Sequence, residues 1–328
     1  LGTVGGDSMK LLGEEVTLDE LLKAYEGTLD PIFPRRAENI DKADPVIEET
    51  KEIPDFYVHT NVARPRVFIP TMPGNNCEVD SARAFERAGA VSDIFIFRNR
   101  DSAELKASVD EMAERISHAQ IVMFPGGFSA GDEPDGSGKF IAAVFRNEKL
   151  KEAMEQLLHT RDGLALGICN GFQALIKLGL VPYGEICGQK EDSPTLTYNT
   201  IGRHISKMVY TKVVSNKSPW LQKATLGDVY CNPASHGEGR FVANDEWLAK
   251  LLANGQVATQ YVNPNGELDQ SEESNINGST YNIEGITSPD GRVLGKMAHS
   301  ERRDNGVAIN IYGQQDIQIF ESGVEYFK

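Results

Sequence analysis

One cysteine of this 328-residue chain lies between two glycines, where an apolar run gives way to a helix-like pattern. Residues 164–168 are apolar, and Gly167, Cys169 and Gly171 then form the pattern G-x-C-x-G ahead of the periodic segment NGFQALIKLGL. A tight strand-to-helix turn holds its central residue exposed and strained, and it requires small neighbours. The helix N-terminus also favours a thiolate. The pattern therefore predicts a nucleophilic cysteine; the alternative is a packed core cysteine whose glycines only allow close packing.

A nucleophilic cysteine needs a base, and two of the six histidines belong to an H-x-E pattern. These are His236 with Glu238, and His299 with Glu301. Residues two apart on an extended chain point to the same side, so that each glutamate could orient its imidazole. His299 is expected at the end of a strand, which favours it as the base. His236 lies in the loop-like segment NPASHGEGRF, where it could contact substrate or only cap structure.

A glycine-rich turn offers backbone donors for an oxyanion. The segment FPGGFSAGDE (124–133) follows a short apolar run, and the N–H groups of Gly127 or Phe128 could face Cys169. The N–H of Asn170, directly after the nucleophile, is a further candidate. A phosphate-binding loop is the alternative, but neither G-K-[ST] nor G-x-G-x-x-G is present.

These segments belong to a repeating strand–helix pattern that begins near residue 66. Apolar runs at 66–70, 93–97, 121–124 and 164–168 alternate with helical segments, and Ser102 is the expected cap of one of those helices. Such alternation predicts a parallel sheet covered on both faces, with ligands at the carboxyl ends of its strands. Both glycine-rich turns fall at those ends. Beyond Leu180 the pattern becomes more β-like, and a hairpin about Pro289-Asp290-Gly291 is expected to deliver His299.

Composition excludes several classes of protein. A net charge of −15 argues against nucleic acid or an anionic membrane as the main partner. The apolar stretches are too short to predict a membrane span. The four cysteines are widely spaced and form no CxxC pair, which argues against a disulfide scaffold or a zinc site and favours a reducing cytoplasm.

The chain is expected to have three regions. Residues 1–32 contain one amphipathic helix with a capping box at Thr17 and Glu20, which is too little to bury a core alone, so this piece must dock elsewhere. Residues 33–64 are charged and punctuated by prolines, as in a linker. Residues 65–328 form the α/β domain.

Several separated motifs in one order carry a family resemblance. FPGGFSAGD, GICNGFQAL and MAHSER resemble the class I, or triad, glutamine amidotransferases. PGNNCEVDSARAFERAGA, SPWL, SHGEGRF and GITSPDGRVLGKMAHSERR narrow the resemblance to the glutaminase domain of phosphoribosylformylglycinamidine (FGAM) synthases, over residues 65–328. Residues 1–32 resemble the tail of the synthetase region in the fused form. Because the sequence begins at Leu1 inside that tail, a carboxy-terminal piece of a larger polypeptide is expected.

The resemblance implies a flavodoxin-like, doubly wound and mainly parallel α/β sheet with β-rich additions. It implies glutamine as substrate and a cytoplasmic enzyme of purine biosynthesis. Its partner is the synthetase region, where ATP and magnesium activate formylglycinamide ribonucleotide for ammonia; no cofactor or metal is expected in this chain. The residue roles that it implies are Cys169 as nucleophile, His299 as proton carrier, Glu301 as its orienting carboxylate, Gly127, Phe128 and Asn170 as oxyanion donors, and Gln173 and His236 as glutamine contacts.

The sequence departs from the family pattern at two positions, and two alternative functions remain open. Ser300 stands where many relatives have proline, and Ala130 where a larger aromatic residue is common; with His299 and Glu301 intact, catalysis is expected to survive. The other readings are a peptidase-like or γ-glutamyl hydrolase-like enzyme, or a non-catalytic domain that docks on its synthetase. The late H-x-E pattern favours an amidotransferase, and the intact Cys, His and Glu weigh against a non-catalytic domain.

Overall fold

The computed structural model describes residues 2–3, 5–34, 61–131, 137–268, 271, 274–303 and 307–328. The chain divides into two compact units, Leu1–Asp41 and Lys42–Lys328. Most of the expected linker, residues 33–64, lies outside the described residues. No helix within the described ranges is both long and apolar enough to cross a membrane.

The first unit contains a hairpin and one helix. Strands β1 (Ser8–Leu11) and β2 (Glu14–Thr17) pair antiparallel, and helix α1 spans Leu18–Glu26. The capping box is confirmed, because the Glu20 N–H donates to the Thr17 hydroxyl and the Thr17 N–H donates to the Glu20 carboxylate. The hairpin was not predicted from the sequence. No residue of α1 is buried, consistent with a segment that has no core of its own.

The second unit contains eleven strands and eight helices among its described residues. The strands are β3 (Arg66–Thr71), β4 (Val91–Ile96), β5 (Ile121–Phe124), β6 (Leu164–Ile168), β7 (Thr195–Thr197), β8 (Ile205–Val213), β9 (Val229–His236), β10 (Arg240–Val242), β11 (Val257–Val262), β12 (Ile283–Thr287) and β13 (Val293–Lys296). The helices are α2 (Glu78–Arg87), α3 (Ser102–His118), α4 (Lys139–Phe145), α5 (Glu148–Glu155), α6 (Asn170–Leu178), α7 (Leu180–Tyr183), α8 (Asp245–Ala253) and α9 (Ile319–Glu325).

A nine-stranded mixed sheet organises this unit, in the order β4-β3-β5-β6-β13-β12-β11-β8-β9. The first five strands in this order are parallel, and the pairs from β13 to β9 are antiparallel. Every residue of β5 and β6 is buried, as expected for central strands with both faces covered. The α/β fold with β-rich additions is confirmed, and the additions extend the same sheet.

Local details explain how the chain reaches the site. The hairpin about Pro289–Gly291 is confirmed by antiparallel pairing of β12 with β13. However, β13 ends at Lys296, so His299 lies in the segment after the strand.

The predicted cap at Ser102 is wrong. Asp101 is the N-cap of α3, and its carboxylate accepts the N–H groups of Ala103 and Glu104, both at 2.9 Å. A carboxylate satisfies two free N–H groups of the first turn at once.

Candidate active site

Cys169 occupies the junction of β6 and α6. Its φ of 53° and ψ of −107° lie in a region that non-glycine residues rarely adopt. Hydrogen bonds on both sides hold this conformation: the Cys169 N–H donates to the carbonyl of Lys296 at 2.9 Å, and the Cys169 carbonyl accepts from the N–H of Gln173 at 3.0 Å. The strained turn therefore fixes the thiol at the carboxyl end of β6, as the G-x-C-x-G pattern predicts.

Close backbone contacts explain the two glycines beside Cys169. A Cβ on Gly167 would lie 2.7 Å from the carbonyl carbon of Gly171, and a Cβ on Gly171 would lie 2.0 Å from the carbonyl oxygen of Phe124. Neither distance is compatible with a side chain. Small residues are thus required for α6 to pack against the ends of β5 and β6.

His299 and Glu301 form a buried pair next to this turn. The His299 Nδ1 and the Glu301 Oε1 are 2.6 Å apart, and both side chains are almost completely buried. The Cys169 thiol lies close enough to the imidazole to contribute to the raised pKa of His299. Its Sγ also lies 3.6 Å from the carbonyl oxygen of Ser235 on β9. The structure therefore brings Cys169, His299 and Glu301 together.

The protonation of this pair follows from its surroundings. Burial disfavours the imidazolium, but the Glu301 carboxylate and the Cys169 thiol outweigh it and raise the pKa of His299 well above its ordinary value. Burial likewise disfavours the carboxylate, but the His299 imidazolium lowers the pKa of Glu301. The pair is consequently stabilised as imidazolium and carboxylate.

A buried ion pair fixes the backbone that leads from β13 to His299. The Glu284 carboxylate accepts the N–H groups of Met297 at 2.9 Å and of Ala298 at 2.6 Å. It also pairs with Lys296 at 3.2 Å, whose ammonium donates to the carbonyl of Ala298 at 2.7 Å. Sequence reasoning did not find this pair, because Glu284 and Lys296 look like ordinary surface charges until β12 and β13 are paired.

The turn after β5 makes room for the imidazole. A Cβ on Gly126 would lie 2.9 Å from the Cε1 of His299. The Asn75 side-chain amide donates to the Gly126 carbonyl at 3.2 Å, and the Asn170 side-chain carbonyl accepts the Ser129 N–H at 3.2 Å. Two asparagine side chains therefore hold this loop against the first turn of α6.

The expected oxyanion donors lie beside the thiol. Gly127, Phe128 and Cys169 line one cleft, and Asn170 is the first residue of α6. The Phe128 N–H donates to the carbonyl of Gly74 at 2.9 Å. A Cβ on Gly74 would lie 2.1 Å from the Phe128 carbonyl oxygen, so the loop that contains Gly74 and the loop that contains Phe128 pack backbone against backbone. Use of the Phe128 N–H in an oxyanion hole would require an exchange of this hydrogen bond.

The cleft over Cys169 has a volume of about 250 Å³. The turns after β5 and β6, the start of α6, the segment after β7 and the end of β9 supply its walls. Its lining includes Gln173, Arg203, His204, His236 and Glu238. The Gln173 side chain is fixed by a hydrogen bond from the Asn170 amide at 3.0 Å and by its own donation to the carbonyl of Glu238. The His204 Nε2 contacts the Ser235 hydroxyl at 2.9 Å, a placement that its sequence context did not signal.

His236 ends β9 and faces the same cleft, but it forms no pair with Glu238. Its Nδ1 lies 3.1 Å from the Asn199 side-chain oxygen, and its buried Nε2 has no hydrogen-bonding partner in the described part of the chain. Burial, and then the neighbouring His299 and His204, lower the pKa of His236 to about 3. His236 is therefore a neutral imidazole at ordinary pH.

A second thiol lies on the other side of His299. The Cys77 Sγ is 3.9 Å from the His299 Nδ1 and accepts a hydrogen bond from the Arg302 guanidinium at 3.0 Å. Cys77, His299 and Glu301 each place one donor atom within 4.8 Å of the others, a set that could hold a metal ion. Sequence reasoning missed Cys77, although PGNNC follows β3 and thus lies at the carboxyl end of a parallel strand.

The mixed α/β sheet, the cysteine turn and the later His-Glu pair define a class I glutamine amidotransferase. Residues 64–327 match the family described as the CobB/CobQ-like glutamine amidotransferase domain, and the chain belongs to this family.

Named relatives narrow the comparison. The chain is 32% identical over 286 residues to phosphoribosylformylglycinamidine synthase subunit PurQ of Methanococcus maripaludis, with 80% of this chain and 98% of the relative covered. It is likewise 32% identical over 285 residues to the subunit PurQ of Treponema denticola, covering 80% of this chain and 99% of the relative. A chain in the structure of PurLQS from Thermotoga maritima aligns with a TM-score of 0.58 at 27% identity, covering 81% of this chain and 100% of that chain.

Proposed function

We propose that this chain is the glutaminase of a phosphoribosylformylglycinamidine synthase. It hydrolyses glutamine and supplies the ammonia that converts formylglycinamide ribonucleotide to its amidine. The observation that carries this proposal is the assembly of Cys169, His299 and Glu301 at one edge of the sheet, in a domain whose full-length relatives are named PurQ.

Cys169 is the nucleophile. Its thiolate attacks the carboxamide carbon of glutamine, and the carbon–nitrogen bond breaks as the His299 imidazolium gives its proton to the leaving ammonia. The resulting γ-glutamyl thioester is hydrolysed by a water molecule whose proton returns to His299. Glu301 holds the imidazole in one orientation through the 2.6 Å hydrogen bond and stabilises its charged form. The products are glutamate and ammonia.

Backbone N–H groups of Gly127, Phe128 and Asn170 stabilise the oxyanion in this proposal. Since the Phe128 N–H is engaged by Gly74, the hole is complete only after the loop of residues 125–131 shifts relative to the loop of residues 73–77. The proposal therefore includes a low basal rate for the isolated chain and a faster rate when the synthetase is bound.

Gln173 and His236 contribute to the glutamine pocket. The Nε2 of His236 is buried, lines the cleft and lacks a hydrogen-bonding partner in the described part of the chain, so a polar group of glutamine would satisfy it. Gln173 keeps the Glu238 segment at a fixed distance from α6 through its side-chain amide. Replacing either residue is expected to raise KM more than it lowers kcat.

The partner in this proposal is the synthetase, which holds the ATP and magnesium, and the compartment is the cytoplasm. Residues 1–32 are proposed as the tail of that synthetase region, 33–64 as a linker, and 65–328 as the glutaminase. Two observations support this division: the family match starts at residue 64, and α1 buries none of its residues.

Labelling with an electrophilic glutamine analogue tests the proposal. Peptide mass mapping is expected to find the adduct on Cys169, and excess glutamine is expected to prevent it. The exposed Cys187 is the internal control for unspecific alkylation. An adduct on Cys187 alone in the complex of this chain with its synthetase would reject the proposed nucleophile.

Substitution of Cys169 separates glutamine hydrolysis from the synthetase reaction that uses ammonia. Cys169→Ala is expected to abolish glutamine-dependent synthesis in the assembled enzyme, while synthesis from added ammonia continues. Cys187→Ala is the matched control and should leave both activities unchanged. Normal glutamine turnover in Cys169→Ala would contradict the assignment.

A further inference from the structure

Three donor atoms of different chemistry meet beside the catalytic imidazole. The Cys77 Sγ, the His299 Nδ1 and a Glu301 carboxylate oxygen lie within 4.8 Å of one another, and all three residues are buried. The glutamine reaction proposed above uses two of these residues and leaves Cys77 without a role. We propose that Cys77, His299 and Glu301 form a zinc site whose occupation inhibits glutamine hydrolysis.

The donor set and its spacing fit Zn²⁺. Thiolate, imidazole and carboxylate are the ligands that zinc uses in proteins, and a thiolate with a carboxylate neutralises a divalent ion. Tetrahedral bonds of about 2.3 Å to sulfur and about 2.0 Å to nitrogen place those two ligand atoms roughly 3.5 Å apart. The observed separation of the Cys77 Sγ and the His299 Nδ1 is 3.9 Å. Small side-chain movements, chiefly of the Glu301 carboxylate away from the Nδ1, complete the geometry.

An unpartnered oxygen supports the same assignment. The Oε2 of Glu301 is buried and has no hydrogen-bonding partner among the described residues, while Oε1 is held by His299. A buried carboxylate oxygen without a hydrogen-bonding partner is costly, because it has lost its hydrogen bonds to water and gained none from the protein. A bound cation would provide that compensation.

Arg302 modifies the site from outside the ligand set. Its guanidinium donates to the Cys77 Sγ at 3.0 Å and lies 3.9 Å from the Asp80 carboxylate. An N–H donor to the sulfur stabilises the thiolate that a metal requires. The positive charge of Arg302 also weakens the attraction for Zn²⁺, so the site suits reversible binding and not a permanent structural ion.

A second cleft borders the cluster at Glu301. It has a volume of about 270 Å³ and is lined by Glu301 and Arg302 together with Asp80, Arg83 and Arg87. It shares no lining residue with the cleft over Cys169. Glu301 is thus the member of the cluster that borders this second cleft, on the side away from the glutamine pocket.

Occupation of the site would stop the proposed reaction. Zn²⁺ replaces the proton on the Nδ1 of His299 and any proton on the Cys77 sulfur, and both protons go to solvent. Glu301 then binds the metal and no longer orients or stabilises an imidazolium, and a metal-bound imidazole is a weaker base toward Cys169. This inhibition rests on the proposed roles of His299 and Glu301, whereas metal binding itself can be measured without activity.

Cobalt is the spectroscopic probe for the full chain. Titration of the protein with Co²⁺ is expected to produce a thiolate-to-metal charge-transfer band and the visible bands of tetrahedral cobalt. Cys169→Ser should retain these bands, and Cys77→Ser should lose them. Bands that survive in Cys77→Ser and disappear in Cys169→Ser would place the ion on the nucleophile and overturn the proposal, as would a complete absence of binding.

Two further measurements test the site with Zn²⁺ itself. Equilibrium dialysis of the full chain against Zn²⁺ should show metal binding in the unsubstituted protein and in Cys187→Ser, and much less in Cys77→Ser; equal binding in all three proteins would overturn the site. In the glutaminase assay, Cys77→Ser should raise the inhibitory Zn²⁺ concentration at least about tenfold. An unchanged inhibitory concentration would mean that Zn²⁺ acts elsewhere.

Discussion

The two H-x-E segments of this chain have the same spacing and different structures. In the segment after β13, His299 and Glu301 form a buried pair at 2.6 Å, and the pKa of the imidazole is raised. In the segment that ends β9, His236 binds Asn199 instead of Glu238, and its pKa falls to about 3. Two histidines that face one region of the molecule are thus held in opposite protonation states.

The position of the glutamate explains the difference. The Glu301 side chain is fully buried against the imidazole. Glu238 is only partly buried and lines the cleft, and its backbone carbonyl accepts from Gln173. A buried carboxylate stabilises a neighbouring imidazolium strongly, since no solvent screens the charge. Spacing alone does not determine which of two such segments stabilises an imidazolium; the burial of the carboxylate against the ring does.

Separate substitution of the two histidines is expected to give the largest difference in glutaminase activity. His299→Asn should lower kcat for glutamine hydrolysis by ~10³–10⁴-fold, because both the proton carrier and the activation of Cys169 are lost. His236→Asn should reduce kcat/KM by only about tenfold, mainly through KM, since it removes a pocket contact. Steady-state glutamate release, with circular dichroism as the folding control, measures both. Similar losses of kcat in the two variants would contradict the assignment of roles.

Substitution of Glu301 should lower kcat more than substitution of Glu238, and both losses should be smaller than the loss in His299→Asn. Glu301→Gln keeps the volume of the side chain and removes the charge that orients and stabilises His299, so a loss in kcat of about 10²-fold is expected. Glu238→Gln is the matched control and should change kcat by less than about threefold, because His236 pairs with Asn199 and His299 with Glu301 instead. Equal effects of the two substitutions would show that carboxylate burial is not the distinguishing feature.

The sequence predicts the central strands that position the site, but it does not predict the partner of His236. β5 and β6 matched their expected bounds because short apolar runs between turn residues have few other interpretations. The preference for His299 over His236 as the base came from its expected place at the end of a strand, and it stays a prediction. Asn199, which replaces Glu238 as the partner of His236, is 37 residues away in the chain, and no local pattern connects the two.

Long-range pairing also explains the other omissions. Cys77 and Arg302 are 225 residues apart and meet only when α2 packs beside the segment after β13. The Glu284–Lys296 pair becomes visible only when β12 and β13 are in register. The cap of α3 was missed for a local reason, because Asp101 and Ser102 are both good capping residues and the sequence alone does not rank them.

Each imidazole packs against a glycine, and substitution of these glycines sharpens the comparison further. A Cβ on Gly126 would lie 2.9 Å from the Cε1 of His299, and a Cβ on Gly239 would lie 2.6 Å from the Cε1 of His236. Gly126→Ala should displace His299 and lower kcat by about tenfold, whereas Gly239→Ala should raise KM. Each is expected to cost about 1–3 kcal/mol in the free energy of unfolding, from crowding of a packed site. Kinetics combined with urea unfolding separates these effects; a kcat defect confined to Gly239→Ala would reverse the comparison.

The smallest expected effect is a difference in acid stability. His236 is neutral in the folded protein with a pKa of about 3, whereas the unfolded chain takes up a proton near pH ~6.5, so stability falls as the pH drops through this window. The slope from this group is at most about 1.4 kcal/mol per pH unit, and His236→Asn should remove it. His299 has the opposite sign: its pKa is raised on folding, so its contribution is complete below about pH 6.5 and is lost as the pH rises through the folded value. Urea unfolding at about pH 7 and about pH 5 should therefore show less acid destabilisation in His236→Asn and more in His299→Asn than in the unsubstituted protein. The same acid response in both variants would mean that the two imidazoles do not differ in charge.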